Sequence, residues 1–277
     1  AEGGFFVPED FRTQVIHNQG VPGGVHRPYC TVLTTSLKDG YLPTMGSVAW
    51  AAIAEEAAYG DNTPTVGQVS FNIRKAGGTT KVSSELLEDS AINLPALLSQ
   101  IFGEAQGRYE DTQLIGGDGT GEAEGIRTSA TDGTVSASAT AVAIADFQTW
   151  YFNLPAQFRA NAIVSTTSSL MAQVAALDVT ANKGSLTSAP ATSLLGRTTA
   201  LFDGTGWDDA TAISAGEEIG CIGDFSNYYL IDRIGMSMRR DDSIYVANDQ
   251  VGFFARSRYD GRVGLADAFR IFKIAAA

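Results

Sequence analysis

Twenty-two residues from Leu94 to Ile115 set the strongest constraint on how this chain can fold. Leu94, Leu97, Leu98, Ile101, Phe102, Ala105, Tyr109, Thr112 and Ile115 recur at spacings of three and four, which predicts one apolar face of a long helix. At 1.5 Å per residue the rod is about 33 Å long, enough to act as a spine. Asp89, Ser90 or Asn93 can cap it, and Pro95 falls in the first turn, where a missing N–H does no harm.

The residues just beyond this helix exclude several chemistries. The stretch "LIGGDGTGEAEGI" (Leu114 to Ile126) holds five glycines. Phosphate-binding glycines follow a strand and open a helix, whereas these follow a helix, and no Lys follows closely enough to reach a phosphate. A calcium loop needs oxygen ligands at alternate positions and a Glu at the twelfth, and Asp118, Glu122 and Glu124 miss that register. The glycines therefore read as a helix stop, with Gly116 predicted in the left-handed conformation.

Elsewhere the chain divides by composition. Residues 1 to 28 lack steady periodicity and contain "VPGGVHRP", which predicts an extended arm. "YCTVLTTSL" (Tyr29 to Leu37) is β-prone. Residues 39 to 74 run out through Gly40, Pro43 and Trp50 to the polar tip "EEAAYGDNTPT" and return through the alternating "VSFNIR". That pattern predicts a long two-stranded loop, which is marginal in water unless it lies on another surface. "TTKVSSELL" (Thr79 to Leu87) reads as a strand leading into the spine. After Thr131 a helix, a buried strand and a second helix (Ala145–Phe158, Asn161–Ser165, Ser168–Asp178) suggest an α/β domain. The tail returns to strands at "NYYLIDR", "SIYVA", "VGFFARSRYDGRVG" and "AFRIFKI", with Asp260–Gly261 predicted as a two-residue hairpin turn.

Charge and residue usage narrow the function. The 277 residues carry a net charge of −12, the wrong sign for a surface built to grip nucleic acid. No apolar run approaches the roughly 20 residues of a membrane helix, and no signal peptide opens the chain. A start at Ala1 rather than Met points to processing or to the numbering. Cys30 and Cys221 lie far apart and read as free thiols. Only His17 and His26 could serve a Ser–His–Asp or Cys–His arrangement, and both fall in the arm, which is poor at holding geometry. The doublets Glu55–Glu56, Asp208–Asp209 and Asp241–Asp242 read as solvated turn charges. Trp50, Trp150 and Trp207 read as core or interface anchors.

The order of arm, strand, projecting loop, capped spine, glycine stop, α/β domain and strand-rich tail resembles the tailed-phage major capsid proteins with the Hong Kong 97-like fold. "VSSELLEDSAINL", "LIGGDGTGEAEGI", "NAIVSTTSSLMAQVAAL" and "DQVGFFARSRYDGRVGLADAFRIF" carry the resemblance, in series over nearly the whole chain. It implies an α+β fold with an N-terminal arm (1–28), a P-domain (29–38, 75–131 and 220–277), an E-loop (39–74) and an A-domain (132–219). It implies a structural subunit rather than an enzyme, with no catalytic, cofactor-binding or metal site. The subunits would form hexamers and pentamers of an icosahedral shell around DNA bound without sequence specificity. A portal and a cement or decoration protein would be further partners. The location would be the virion capsid, assembled in the host cytoplasm, with no membrane; Ala1 would fit removal of a scaffolding segment during maturation.

Trp50, Tyr59 and Phe71 on the loop are then expected at contacts between subunits. For Phe71 the alternative, a place in its own domain's sheet, stays open. Some relatives weld their subunits through an E-loop Lys and a P-domain Asn, assisted by a Glu. Here no Lys lies between Lys38 and Lys75, Asn248 or Asp249 falls near the acceptor position, and Arg256 stands at the helper position. The resemblance therefore implies a shell held without covalent links. Two alternatives remain at this point: an encapsulin-type nanocompartment and, from a different class, a secreted hydrolase.

Overall fold

A computed structural model describes residues 23–276, apart from 49, 57, 59, 61–62, 90–92 and 182–192. The first part contains β1 (Thr31–Thr34), the hairpin β2 (Asp39–Met45) and β3 (Val66–Asn72), β4 (Arg74–Ser83), the short α1 (Ser84–Asp89) and the spine α2 (Leu94–Gly116). Then come α3 (Ile126–Ser129), β5 (Thr131–Val135), α4 (Ile144–Asn153), α5 (Ala156–Arg159), β6 (Ile163–Thr166) and α6 (Ser168–Ala181). The remaining strands are β7 (Ser193–Leu194), β8 (Arg197–Leu201), β9 (Glu218–Gly223), β10 (Tyr228–Asp241), β11 (Gln250–Val263) and β12 (Phe269–Lys273). This is an α+β architecture.

Two sheets organise the chain. One has strand order β1-β10-β11-β4 and packs the buried residues of β11 toward α2; the ring of Tyr109 on α2 meets Tyr259 edge-on at 6.4 Å. The other has order β5-β12-β9-β6-β8-β7. Its core stacks Phe147 of α4 on Phe272 of β12 at 5.1 Å, with Trp150 buried beside them and donating to the Arg270 carbonyl at 2.8 Å. A boundary at residues 219/220 therefore does not separate the two bodies. β12 and most of β9 lie in the range expected for the P-domain, yet they pair within the second sheet, so the tail supplies strands to both.

The spine begins as its sequence demands: Asn93 accepts from the Ala96 amide at 3.2 Å and Pro95 occupies the first turn. Its end differs from the left-handed stop expected at Gly116. The cap is Gly117, which is extended, and a Cβ there would collide with the carbonyls of Ala123 and Gln113. Close backbone approach, rather than positive φ, requires that glycine; the left-handed residue is Gly119.

Three other expectations change. Asp260–Gly261 is not a hairpin turn: both residues continue β11, paired with Ile231 and Leu230 of β10. A Cβ on Gly261 would strike the Tyr228 hydroxyl, so the glycine serves packing. "SIYVA" is not a strand; Val246–Asn248 form a single 3₁₀ turn. "SELL" opens α1 rather than extending β4.

Of the expected arm, residues 1–22 lie outside the described residues, and residues 23–27 are fastened to the spine. Gly23 crosses α2 so closely that a Cβ on Gly107 would lie 2.8 Å from the backbone of Gly23 and Gly24. Gly103, one turn earlier, would meet nothing within 4 Å. Alanine is favoured over glycine in a helix by about 1 kcal/mol, so Gly103→Ala should stabilise the subunit by that much. At Gly107 the clash, worth about 1–3 kcal/mol, opposes and outweighs the same gain. Denaturant midpoints of the two variants should move in opposite directions; equal upward shifts would mean that residues 23–24 do not dock on the spine.

Candidate assembly surfaces

The hairpin of β2 and β3 pairs in register from Asp39↔Asn72 to Met45↔Val66. Period-two alternation splits it into two faces. One presents Tyr41, Met45 and Val66 to solvent; the other turns Leu42 and Phe71 toward Ile73 and Ile231 at the base. Every described residue from Met45 to Glu56 is exposed, and Trp50 at 97% touches almost nothing in its own subunit. A two-stranded ribbon has no interior in which to hide such a ring.

Phe71 does not share that position. At 8% exposure it is packed at the foot of the hairpin, against Gly40 across the ribbon and in a cluster with Ile73 and Ile231. It anchors the loop to its own subunit, the alternative left open for it in the sequence. Tyr59 lies outside the described residues. Tyr41, Met45 and Val66 escaped the sequence reading, although the alternation in "DGYLPTM" pointed to an outward row at 39, 41, 43 and 45.

His26 also differs from expectation, while His17 lies outside the described residues. His26 is fully buried and joins Ser165 and Asp111 in the order of a hydrolytic triad: Nδ1 to Asp111 Oδ1 at 2.9 Å, Nε2 to Ser165 Oγ at 2.7 Å. The hydrogen positions follow from the partners. A carboxylate accepts, so Nδ1 carries the proton; in that neutral tautomer Nε2 accepts from the Ser165 hydroxyl, whose oxygen also accepts from Trp207 Nε1 at 2.8 Å. Asp111 accepts in addition from the amides of Val25 and His26. Every partner is consumed and no substrate can reach Ser165, so the triad geometry is a structural bracket. It ties residues 25–26 to α2 and to β6, and Arg27 extends it to Glu110 at 2.8 Å and to Asp232.

The acidic residues singled out in the sequence are likewise structural. Asp118 Oδ1 accepts from the amides of Thr120, Gly121 and Glu122, which hold its carboxyl below the usual range. Asp208 pairs with Arg127 at 3.1 Å, and Arg127 also reaches Glu218 at 2.7 Å, while Asp209 caps a 3₁₀ turn through the Thr211 amide. Cys30 and Cys221 are free, and burial raises both thiols far above their ordinary pKa. Among the described residues, no group of three or more His, Cys, Asp or Glu is placed to hold a metal ion.

Among the described residues the exposed ribbon is a distinctive surface, and it suits contact between copies. The phage capsid family matches residues 3–274. The chain belongs to that family. This capsid subunit has the fold of solved shells: the capsid of a native GTA particle aligns with TM-score 0.79 at 22% identity, covering 100% of this chain and 98% of that one. The Gordonia phage Cozz structure aligns at 0.71 and 17%, covering 98% and 92%. The Mycobacterium phage Bobi structure aligns at 0.69 and 12%, covering 98% and 96%. A search of curated proteins found no match. The capsid subunit is a structural component of a homo-oligomeric virion shell, not an enzyme, and its fold is the Hong Kong 97-like one of tailed-phage capsids.

Proposed function

We propose that the subunit forms the hexamers and pentamers of an icosahedral head and that its β2–β3 hairpin serves as an E-loop gripping a neighbouring copy. In this reading the spine and the four-stranded sheet are the P-domain and the six-stranded sheet with α4 and α6 the A-domain. The head assembles in the host cytoplasm, joins a portal, accepts a decoration protein outside, and encloses DNA held without sequence specificity. The acidic balance of the chain, −12, supports the last point, since it gives packaged phosphates little to adhere to. The observation that carries the reading is Trp50, almost wholly exposed on a segment too thin to bury it. Light scattering of the native protein tests it: particles of shell mass are expected, and monomer or dimer alone would refute it.

The same reading makes the shell non-covalent. Between Lys38 and Lys75 the hairpin offers no amine to attack a neighbouring amide. Arg256, an exposed residue of β11, stands where the relatives that crosslink would need a Glu. Boiling in SDS should therefore release single chains of 29.2 kDa. A ladder of covalent pentamers and hexamers would contradict it.

A further inference from the structure

The apolar stripe of the spine stands off its own sheet. In α2 the buried residues begin only at Glu110, so Phe102, Ala105 and Tyr109 are left at least partly open to solvent. Strand register explains the gap. Ala255, Ser257 and Tyr259 are the buried residues of β11, and they stand opposite Gly78, Ala76 and Arg74 of β4. Directly opposite residues share a face. Two successive pairs, Gly78 with Ala255 and Ala76 with Ser257, are small and leave space beneath the helix. An apolar trough of about 450 Å³ runs there, lined also by Phe102, Ala105, Tyr109 and Met236. Small-molecule sites span about 300–1,000 Å³. Phe102 comes down at one end, where a Cβ on Gly78 would lie 3.6 Å from its ring. Because β4 is the edge strand of its sheet, the trough is open from the side.

The third pair on this face differs. Arg74 and Tyr259 stand at the other end of the trough, where the Tyr259 ring meets Tyr109 edge-on at 6.4 Å. Each carries a buried polar atom without a hydrogen-bond partner among the described residues, Arg74 Nε and the Tyr259 hydroxyl. Tyr259 as a whole is only 6% exposed. An unpaired buried donor is expensive, and native structures keep few of them. Two of them at the closed end of an apolar trough make a place for an oxygen.

Electrostatics decide what kind of oxygen fits. Burial first, and then the carboxylates of Glu110, Glu122 and Asp232, raise the Tyr259 hydroxyl above its ordinary range, so it stays protonated and can donate. Asp118 lies within electrostatic reach of Arg74. Against these four carboxylates stand two cations, Arg74 and Arg27, and Arg27 is already paired with Glu110 and Asp232. An anionic head would be repelled here. An uncharged oxygen that accepts hydrogen bonds would not.

We propose that the trough binds an uncharged amphiphile. Its alkyl chain lies between the spine and the small residues of β4 and β11, and its hydroxyl or carbonyl oxygen accepts from Arg74 Nε and the Tyr259 hydroxyl. Such a ligand braces a helix that its own sheet leaves unsupported ahead of Glu110. None of these residues belongs to the hairpin, so the site does not depend on how the hairpin is used.

Straight-chain alcohols test this by titration calorimetry on unassembled subunits. Each methylene added between hexanol and decanol should tighten binding about fourfold, the equivalent of about 0.8 kcal/mol per buried CH₂. Decanoate, with a tail of similar length and a charged head, should bind about tenfold more weakly than decanol, or worse. Tyr259→Phe should weaken decanol about fivefold by removing one donor, without loss of subunit stability, since that hydroxyl has no partner to lose. Ala76→Leu, which fills the trough, should abolish binding while circular dichroism stays that of the wild type. No saturable binding of decanol, decanoate binding as tightly as decanol, or unchanged affinity in Ala76→Leu would overturn the proposal. Binding by free subunits that is lost in assembled shells would overturn it too, and would give the trough to a neighbouring copy.

Discussion

Alanine in place of His26 should lower the stability of the free subunit by about 3–4 kcal/mol, because it breaks a buried polar chain and leaves a void. The ring is enclosed, stacked on Phe225 at 5.6 Å and edge-on to Phe202 at 6.1 Å. Without it the Ser165 hydroxyl loses its acceptor, and Asp111, almost wholly buried, keeps only two amide donors. An uncompensated buried carboxylate is costly. Residues 25–27 would also lose their link to β6, and would keep only the two amide bonds to Asp111 and the Arg27 pairs. Denaturant unfolding of unassembled protein gives the number. A loss below about 1 kcal/mol, the worth of one ordinary hydrogen bond, would mean that His26 is not a bracket.

The second large effect separates assembly from folding. Trp50→Ala should leave the subunit folded, since the indole is 97% exposed there. It should weaken each contact between subunits by about 2 kcal/mol, the scale of an aromatic hot spot. Multiplied over the many copies of a shell, that raises the concentration needed for assembly and lowers the melting point of the particle. Phe71→Ala should do the reverse. It empties a buried site at the foot of the hairpin and should cost the subunit about 3 kcal/mol before any assembly occurs. Circular dichroism of the free subunits beside the yield of shells distinguishes the two. An unfolded Trp50→Ala subunit would make Trp50 a core residue and remove the basis for the hairpin contact.

How far the sequence could be read depends on the range of the forces involved. The spine was legible because its apolar spacing, Asn93 cap and Pro95 are local signals, and the hairpin because its alternation is local too. Asp260–Gly261 misled because Asp-Gly favours a tight turn by itself, whereas here long-range packing decides. Tyr228 occupies the space that a side chain at 261 would need, and Asp260 is buried, accepting from the Asn72 amide at 2.8 Å and from Arg262. His26 misled for a similar reason. It stands in a Pro/Gly-rich stretch that reads as an arm, while its partners Asp111 and Ser165 are 85 and 139 residues away. β12 was legible as a strand but not as a member of the second sheet, since alternation does not say which edge a strand will join. At the candidate site, Trp50 stood out as an aromatic residue on a thin loop.

The central claim is that copies of this chain close into a shell gripped by the β2–β3 hairpin. Electron microscopy of the purified assembly, taken to a resolution at which strands are traced, tests it most directly. The account predicts closed particles in which each hairpin lies across an adjacent subunit with Trp50 buried between the two. Particles in which the hairpin folds back on its own subunit, or a preparation without closed particles, would contradict it.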